Sequence, residues 1–190
     1  MRIGLLGGSF DPPHNGHLLA AGDAFDELGL DRLVFIPAAT QPLKREGGTA
    51  APAQRLAMVR LLVADDPRFL VDAVEIDRGG LSYTVDTLSA LAAREPAADR
   101  FLLIGADVLP TFGKWREPER IAELATLVVL RRTGEAVDLS QAPGTARVLA
   151  TRRIDISSTE IRRRVREGKS VRGFVPDSVG AYIAAERLYR

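Results

Sequence analysis

The stretch RIGLLGGSFDPPHNGHLLAAGDAFDELGLDRLVFIP, residues 2–37, decides the fold. Its opening RIGLL is a short apolar run ended by a glycine pair, the pattern of a buried strand. Beyond Pro13 the apolar residues Leu18, Ala21, Phe25 and Leu28 recur at helical spacing, and Gly29 supplies a left-handed stop. RLVFIP then reads as a second strand. Strand, helix and strand in so short a span make a βαβ unit, whose crossover is expected to be right-handed.

The same rhythm continues to the end of the chain. Helices are predicted over AQRLAMVRLLVADD, TVDTLSALAARE and EPERIAELA; strands are predicted over FLVDAVEI, RFLLIG, TLVVL and RVLA. Two terminal helices follow, STEIRRRVREG and PDSVGAYIAAERL. This alternation predicts an α/β fold: a Rossmann-like, doubly wound, mostly parallel sheet with helices on both faces. At 190 residues the chain fits one domain, residues 1–190. Residues 38–52 and 133–146 carry Gly, Pro, Ala and polar side chains and read as loops over the sheet. Aromatic and aliphatic residues in LLVADD and AYIAAERLY read as packing only.

Composition narrows the function classes. Hydrophobic residues are 46% and charged ones 27%, with formal net charge +1, the balance of a soluble globular protein rather than a disordered one. Only TRRIDISSTEIRRRVREGKSVR is locally basic, so no nucleic-acid partner is expected. Cysteine is absent, which excludes disulfide frameworks and thiolate metal sites. IGLLGG is too short for a signal peptide and no run reaches membrane-spanning length, so a cytoplasmic protein without membrane contact is expected.

Ligands of open α/β sheets gather where strands end and helices begin, and residues 7–17 occupy such a place. Gly7 and Gly8 follow the first strand and let backbone N–H groups approach a ligand. Residues before proline avoid the α region, so the helix starts only beyond Pro13, with Asn15 as its expected cap. His14 and His17, the only histidines of the chain, bracket that start, where unpaired N–H groups attract anions. Phosphate is the biological candidate. Zinc is disfavoured, because two histidines with Asp11 as the one nearby carboxylate are too few ligands. GLLGGS also lacks the G-x-G-x-x-G spacing of a dehydrogenase. Plain helix capping by the histidines is the alternative.

A second motif stands late in the chain, ISSTEIR at residues 156–162. Ser157 followed by Glu160 is a capping box, so a helix begins here and turns its first N–H groups and the hydroxyls of Ser158 and Thr159 outward. Arg162 adds a forked cation suited to phosphate oxygens. HNGH preceded by GGSFDPP, together with ISSTEIR, resembles the H-x-G-H nucleotidyltransferase superfamily. RLAM, SYTVDTL, IGADVLPTFGKW, LVVLRR and VPDSVGAYIAAERLYR extend the likeness over nearly the whole chain, toward the bacterial nicotinate mononucleotide adenylyltransferases.

The resemblance implies adenylyl transfer from ATP, with Mg²⁺, to nicotinate mononucleotide in NAD biosynthesis. It implies an ATP site from Gly7, Gly8, Ser9, Phe10, His14, His17, Gly105, Asp107, Ile156, Ser157, Ser158, Thr159 and Arg162. His14, His17 and Arg162 carry the catalytic expectation, and residues 156–190 complete a site begun by the core, residues 1–155. It implies acceptor contacts from Lys44, Tyr83, Thr84, Asp107, Trp115 and Arg131, with Trp115 stacking on the pyridine ring; Arg132 is expected to point elsewhere, into solvent. In QPLKRE, Leu43 stands where the family has histidine, so the chain departs from the pattern beside Lys44. Thr84 as a helix cap would offer backbone donors to a carboxylate. Magnesium would ride on the phosphates and water, with no protein cage. A homo-oligomer is compatible with these expectations. Rival readings are a nicotinamide mononucleotide or phosphopantetheine acceptor, and a non-catalytic nucleotide sensor.

Overall fold

The computed structural model describes residues 1–42, 50–134, 136–140, 142–143, 145–152 and 154–190. Lys44, one of the expected acceptor contacts, lies outside them. The strands are β1 (Arg2–Gly8), β2 (Arg32–Pro37), β3 (Phe69–Val71), β4 (Asp99–Gly105), β5 (Thr126–Arg132) and β6 (Arg147–Thr151). The helices are α1 (Asn15–Leu28), α2 (Pro52–Val63), α3 (Val74–Arg78), α4 (Thr84–Arg94), α5 (Pro118–Leu124), α6 (Ser158–Arg166) and α7 (Asp177–Ala185), with a 3-10 turn over Leu109–Lys114.

All six strands pair in parallel, in the order β3-β2-β1-β4-β5-β6. Strand order reverses between β1 and β4, so the ligand crevice of a doubly wound sheet opens beyond the carboxyl ends of those two strands. The loops GGSF and IGAD leave the sheet there.

Strands buried on both faces carry apolar residues without alternation, and the two faces feed separate cores. Leu6, Leu33, Phe35, Leu103, Val128 and Leu130 pack with α1, α2, α6 and α7 on one side. Ile3, Leu5, Val34, Leu102, Leu127 and Val129 pack with α4, α5 and the 3-10 turn on the other. α6 and α7 join the first core through Ile161, Val179 and Ile183, so the closing helices belong to the same domain. Among the described residues no helix is long and apolar enough to cross a membrane.

Three local expectations are corrected. FLVDAVEI is a strand only as far as Val71: the Asp72 N–H makes the last ladder bond, to Phe35 O, and the Asp72 carboxylate then accepts the Val74 N–H at 2.8 Å and turns the chain into α3. The cap of α1 is His14 rather than Asn15; Asn15 is the first helical residue, and its side chain donates to Gly173 O at 2.9 Å. Tyr83, not Thr84, occupies the cap of α4.

Candidate active site

The first loop is held from beneath by its own aromatic ring. Phe10 is 2% exposed, takes a left-handed φ of 49°, and lies edge-on to His17 with ring centroids 5.1 Å apart. A Cβ on Gly8 would stand 3.1 Å from that ring, so the space freed at Gly8 serves the packing of Phe10. Gly7 is exposed, and among the described residues nothing lies within 4 Å of the corresponding position. Phe10 thus serves as packing beneath the loop, its ring turned inward.

The two histidines form one unit. Their rings stack with centroids 3.7 Å apart, and His17 Nδ1 accepts the His14 backbone N–H at 3.2 Å. That bond makes Nδ1 an acceptor, which puts the proton of a neutral His17 on Nε2 and makes that atom a donor. Gly16 permits the stack, since a Cβ there would come within 3.0 Å of His14 Nδ1. Two of the first N–H groups of α1 are occupied: Asn15 donates to Phe174 O and His17 to His14 O. The anion-binding capacity of this loop therefore rests more on side chains than the sequence suggests.

His14 is 7% exposed, and its buried Nδ1 has no hydrogen-bond partner among the described residues. Burial first, and the Arg132 charge second, lower its pKa from 6.5 to about 4. The sign of the linkage follows. Above 6.5 both folded and unfolded His14 are neutral, and below that the unfolded form takes up a proton first. Stability should fall with pH between about 6.5 and about 4, by at most ~1.4 kcal/mol per pH unit, and level off below. Urea unfolding of wild type and His14→Gln at pH 7 and pH 5 checks this; equal losses in the two proteins would refute it.

The second motif meets the first. Ser157 Oγ accepts the Glu160 N–H at 3.2 Å and caps α6, as expected. The Ser158 hydroxyl does not face outward: it donates to Pro12 O at 2.8 Å. Arg162 Nη1 donates to Asp11 O at 2.7 Å and Nη2 to the Thr159 hydroxyl at 3.3 Å. Ile156 lies 3.8 Å from the position a Gly16 Cβ would take. Residues more than 140 positions apart thus close around one end of β1.

Arg55 was not singled out by the sequence. It is 4% exposed and donates to three carbonyls: Ser9 at 2.7 Å, Ala39 at 2.8 Å and Ala50 at 3.3 Å. One guanidinium therefore ties the loop after β1 to the loop after β2 and the start of α2.

Across the sheet lies a second group. The Asp107 carboxylate folds over Gly105, where a Cβ would collide with its Oδ1. Trp115 is half-buried, 5.4 Å from Phe112, and donates from Nε1 to the Thr111 hydroxyl at 3.3 Å. The Arg116 guanidinium stands 5.0 Å over the Tyr83 ring. Side chains alternate along β5, so Arg131 shares the face of Leu127 and Val129 with Trp115 and Tyr83. Arg132 shares the face of Val128 and Leu130 with His14, whose pKa registers its charge. Arg132 is exposed and turned away from Arg131, as expected, yet its charge acts on His14.

Residues 5–164 match the family described as cytidylyltransferase-like. Over its full length the chain is 52% identical to a protein of Gemmatimonas aurantiaca named probable nicotinate-nucleotide adenylyltransferase, 93% of which is covered. A protein of the same name from Thermus thermophilus is 49% identical, with both chains covered completely. The solved structure of Plasmodium falciparum nicotinic acid mononucleotide adenylyltransferase complexed with NaAD matches with a TM-score of 0.82, over 99% of this chain and 97% of that one; at 17% identity the likeness is one of fold. The chain belongs to the cytidylyltransferase-like nucleotidyltransferases, among relatives named nicotinate-nucleotide adenylyltransferase.

Proposed function

We propose that the protein transfers the adenylyl group of ATP to nicotinate mononucleotide, giving nicotinate adenine dinucleotide and pyrophosphate. The observation that carries this reading is the closure of α6 on the histidine loop through Ser158 and Arg162. It brings donors from both ends of the chain to the carboxyl end of β1, the place where a doubly wound sheet takes its ligand. The names of the full-length relatives support the acceptor.

The acceptor phosphate oxygen attacks the α-phosphorus in line, a P–O bond forms to it, and the bond to the pyrophosphate oxygen breaks. Attacker and electrophile are both anionic, so the protein's work is charge neutralisation and alignment, without a covalent intermediate. In this reading the His17 Nε2–H donates to charge developing on the α-phosphate, the Arg132 and Arg162 cations draw the phosphates in, and neutral His14 serves as a hydrogen-bond partner. Gly7, Ser9, Ser157 and Thr159 line the crevice wall, and residues 156–190 complete the ATP site. Asp107, beyond β4, takes ribose hydroxyls. Trp115 stacks on the pyridine ring, and Arg131, Tyr83 and Thr84 line the acceptor side.

Among the described residues no group of three or more His, Asp or Glu side chains is placed to hold a metal. The donor set suits magnesium that arrives on the nucleotide phosphates and water, neutralising their charge. The first N–H groups of α4 favour a ring carboxylate over a carboxamide.

Pyrophosphate release from ATP and Mg²⁺ should be fastest with nicotinate mononucleotide, slower with nicotinamide mononucleotide and absent with phosphopantetheine. Transfer to phosphopantetheine with none to nicotinate mononucleotide would overturn the acceptor. ATP binding without pyrophosphate from any acceptor would favour a sensor.

A further inference from the structure

The last turn of the chain reaches into the histidine loop. After α7 the backbone doubles back through two non-glycine residues with left-handed φ, Arg187 at 52° and Tyr189 at 64°. Such conformations are disfavoured and persist only where surrounding contacts hold them. Here they bury the Tyr189 ring to 8% exposure and aim its hydroxyl at Asp11, 178 residues away.

Asp11 is itself 6% exposed. Its Oδ1 accepts from the Tyr189 hydroxyl at 2.7 Å and from the Ala50 N–H at 3.2 Å. Its backbone carbonyl accepts from Arg162 at 2.7 Å. Two prolines, with fixed φ, separate it from His14. A displacement of Asp11 is therefore passed directly to Arg162 by a hydrogen bond and to His14 by a stiff two-residue spacer.

We propose that Tyr189 is a positioning residue of the active site: its hydroxyl pins Asp11, and through Asp11 sets where Arg162 and His14 meet the nucleotide phosphates. The proposal rests on the adenylyl-transfer reading for the identity of the nucleotide. Hydroxyl and carboxylate form a short buried link between the chain's end and its first loop, and the interior keeps that link stiff. A burial role alone would be met by phenylalanine; the directed bond to Asp11 is what phenylalanine lacks.

The test is a double-mutant cycle of Tyr189→Phe with Arg162→Ala, read at saturating acceptor as turnover and, separately, as Mg·ATP affinity by calorimetry. Tyr189→Phe should lower turnover on the order of tenfold, with the KM for nicotinate mononucleotide changed by less than about threefold. In the Arg162→Ala background the same change should cost clearly less, on the order of threefold, because one of the two groups it positions is gone and only His14 remains. Equal losses in both backgrounds, or wild-type turnover in Tyr189→Phe, would overturn the proposal. Should Tyr189→Phe fail to fold, Asp11→Ala takes its place in the cycle with the same expectations. A wild type that releases no pyrophosphate overturns the adenylyl-transfer reading instead. The affinity cycle then decides the positioning role, with weakened ATP binding expected in Tyr189→Phe and unchanged binding refuting it.

Discussion

His17→Ala should lower turnover by roughly 10²–10³ while the protein stays folded, the loss typical of removing one preorganised donor to transition-state charge. The expectation is specific to one atom. His17 Nδ1 accepts the His14 N–H, so the proton of the neutral ring sits on Nε2. His17→Asn separates the two duties. An asparagine oxygen in place of Nδ1 can keep accepting the His14 N–H, so the start of α1 survives while the Nε2 donor is lost. His17→Asn should therefore show a wild-type melting temperature with turnover as low as the alanine variant. Single-turnover pyrophosphate release and thermal unfolding measure the two quantities. Turnover within about threefold of wild type in either variant would remove His17 from the transition state.

The parts of this site legible in the sequence are those whose chemistry is local. A glycine pair after a strand, two prolines and two histidines mark a loop that enters a helix, and Ser157 with Glu160 marks another helix start. Both places are where the expectations put them, at the carboxyl end of β1 and at the first turn of α6. The shift of the α1 cap from Asn15 to His14 is a different matter. Histidine is not a favoured cap, and its place here depends on the His14 N–H donating to His17 Nδ1, which spacing alone does not announce.

Residues that act across the fold were hidden. Arg55 lies in a helical pattern alongside Arg60, and nothing in the sequence says that one is buried and the other exposed. Tyr189 sits in an apolar terminal helix pattern, where a ring reads as packing and its hydroxyl partner is 178 residues distant. Arg131 and Arg132 leave a strand that is apolar on both faces, so no alternation indicated which of them would face the histidines. The shortening of β3 did leave a trace: Asp72, within a run otherwise apolar up to Glu75, is a residue that bonds its own backbone two positions on.

Arg55→Met tests whether the crevice is held together by that single guanidinium, and it should be the most destabilising of these changes. Methionine fills much of the same volume and keeps the packing of α2, but removes the three bonds that Arg55 makes to the carbonyls of Ser9, Ala39 and Ala50. Each of these charge-assisted bonds, one to a buried carbonyl and two to half-buried ones, is worth on the order of 1 kcal/mol, which gives about 3 kcal/mol in all. In a chain of 190 residues that corresponds to a fall in melting temperature of roughly 10 °C. Arg152→Ala is the control. Its guanidinium also makes a two-pronged contact, with Asp23 at 2.8 Å, but from an exposed position where water screens the pair, so its melting temperature should hardly move. The carbonyls bonded by Arg55 belong to the loops after β1 and β2, so its loss should also weaken ATP binding below the melting transition. Equal melting temperatures for Arg55→Met and Arg152→Ala would mean that the loops are held by the sheet and their own turns, with Arg55 a passive occupant of the space between them.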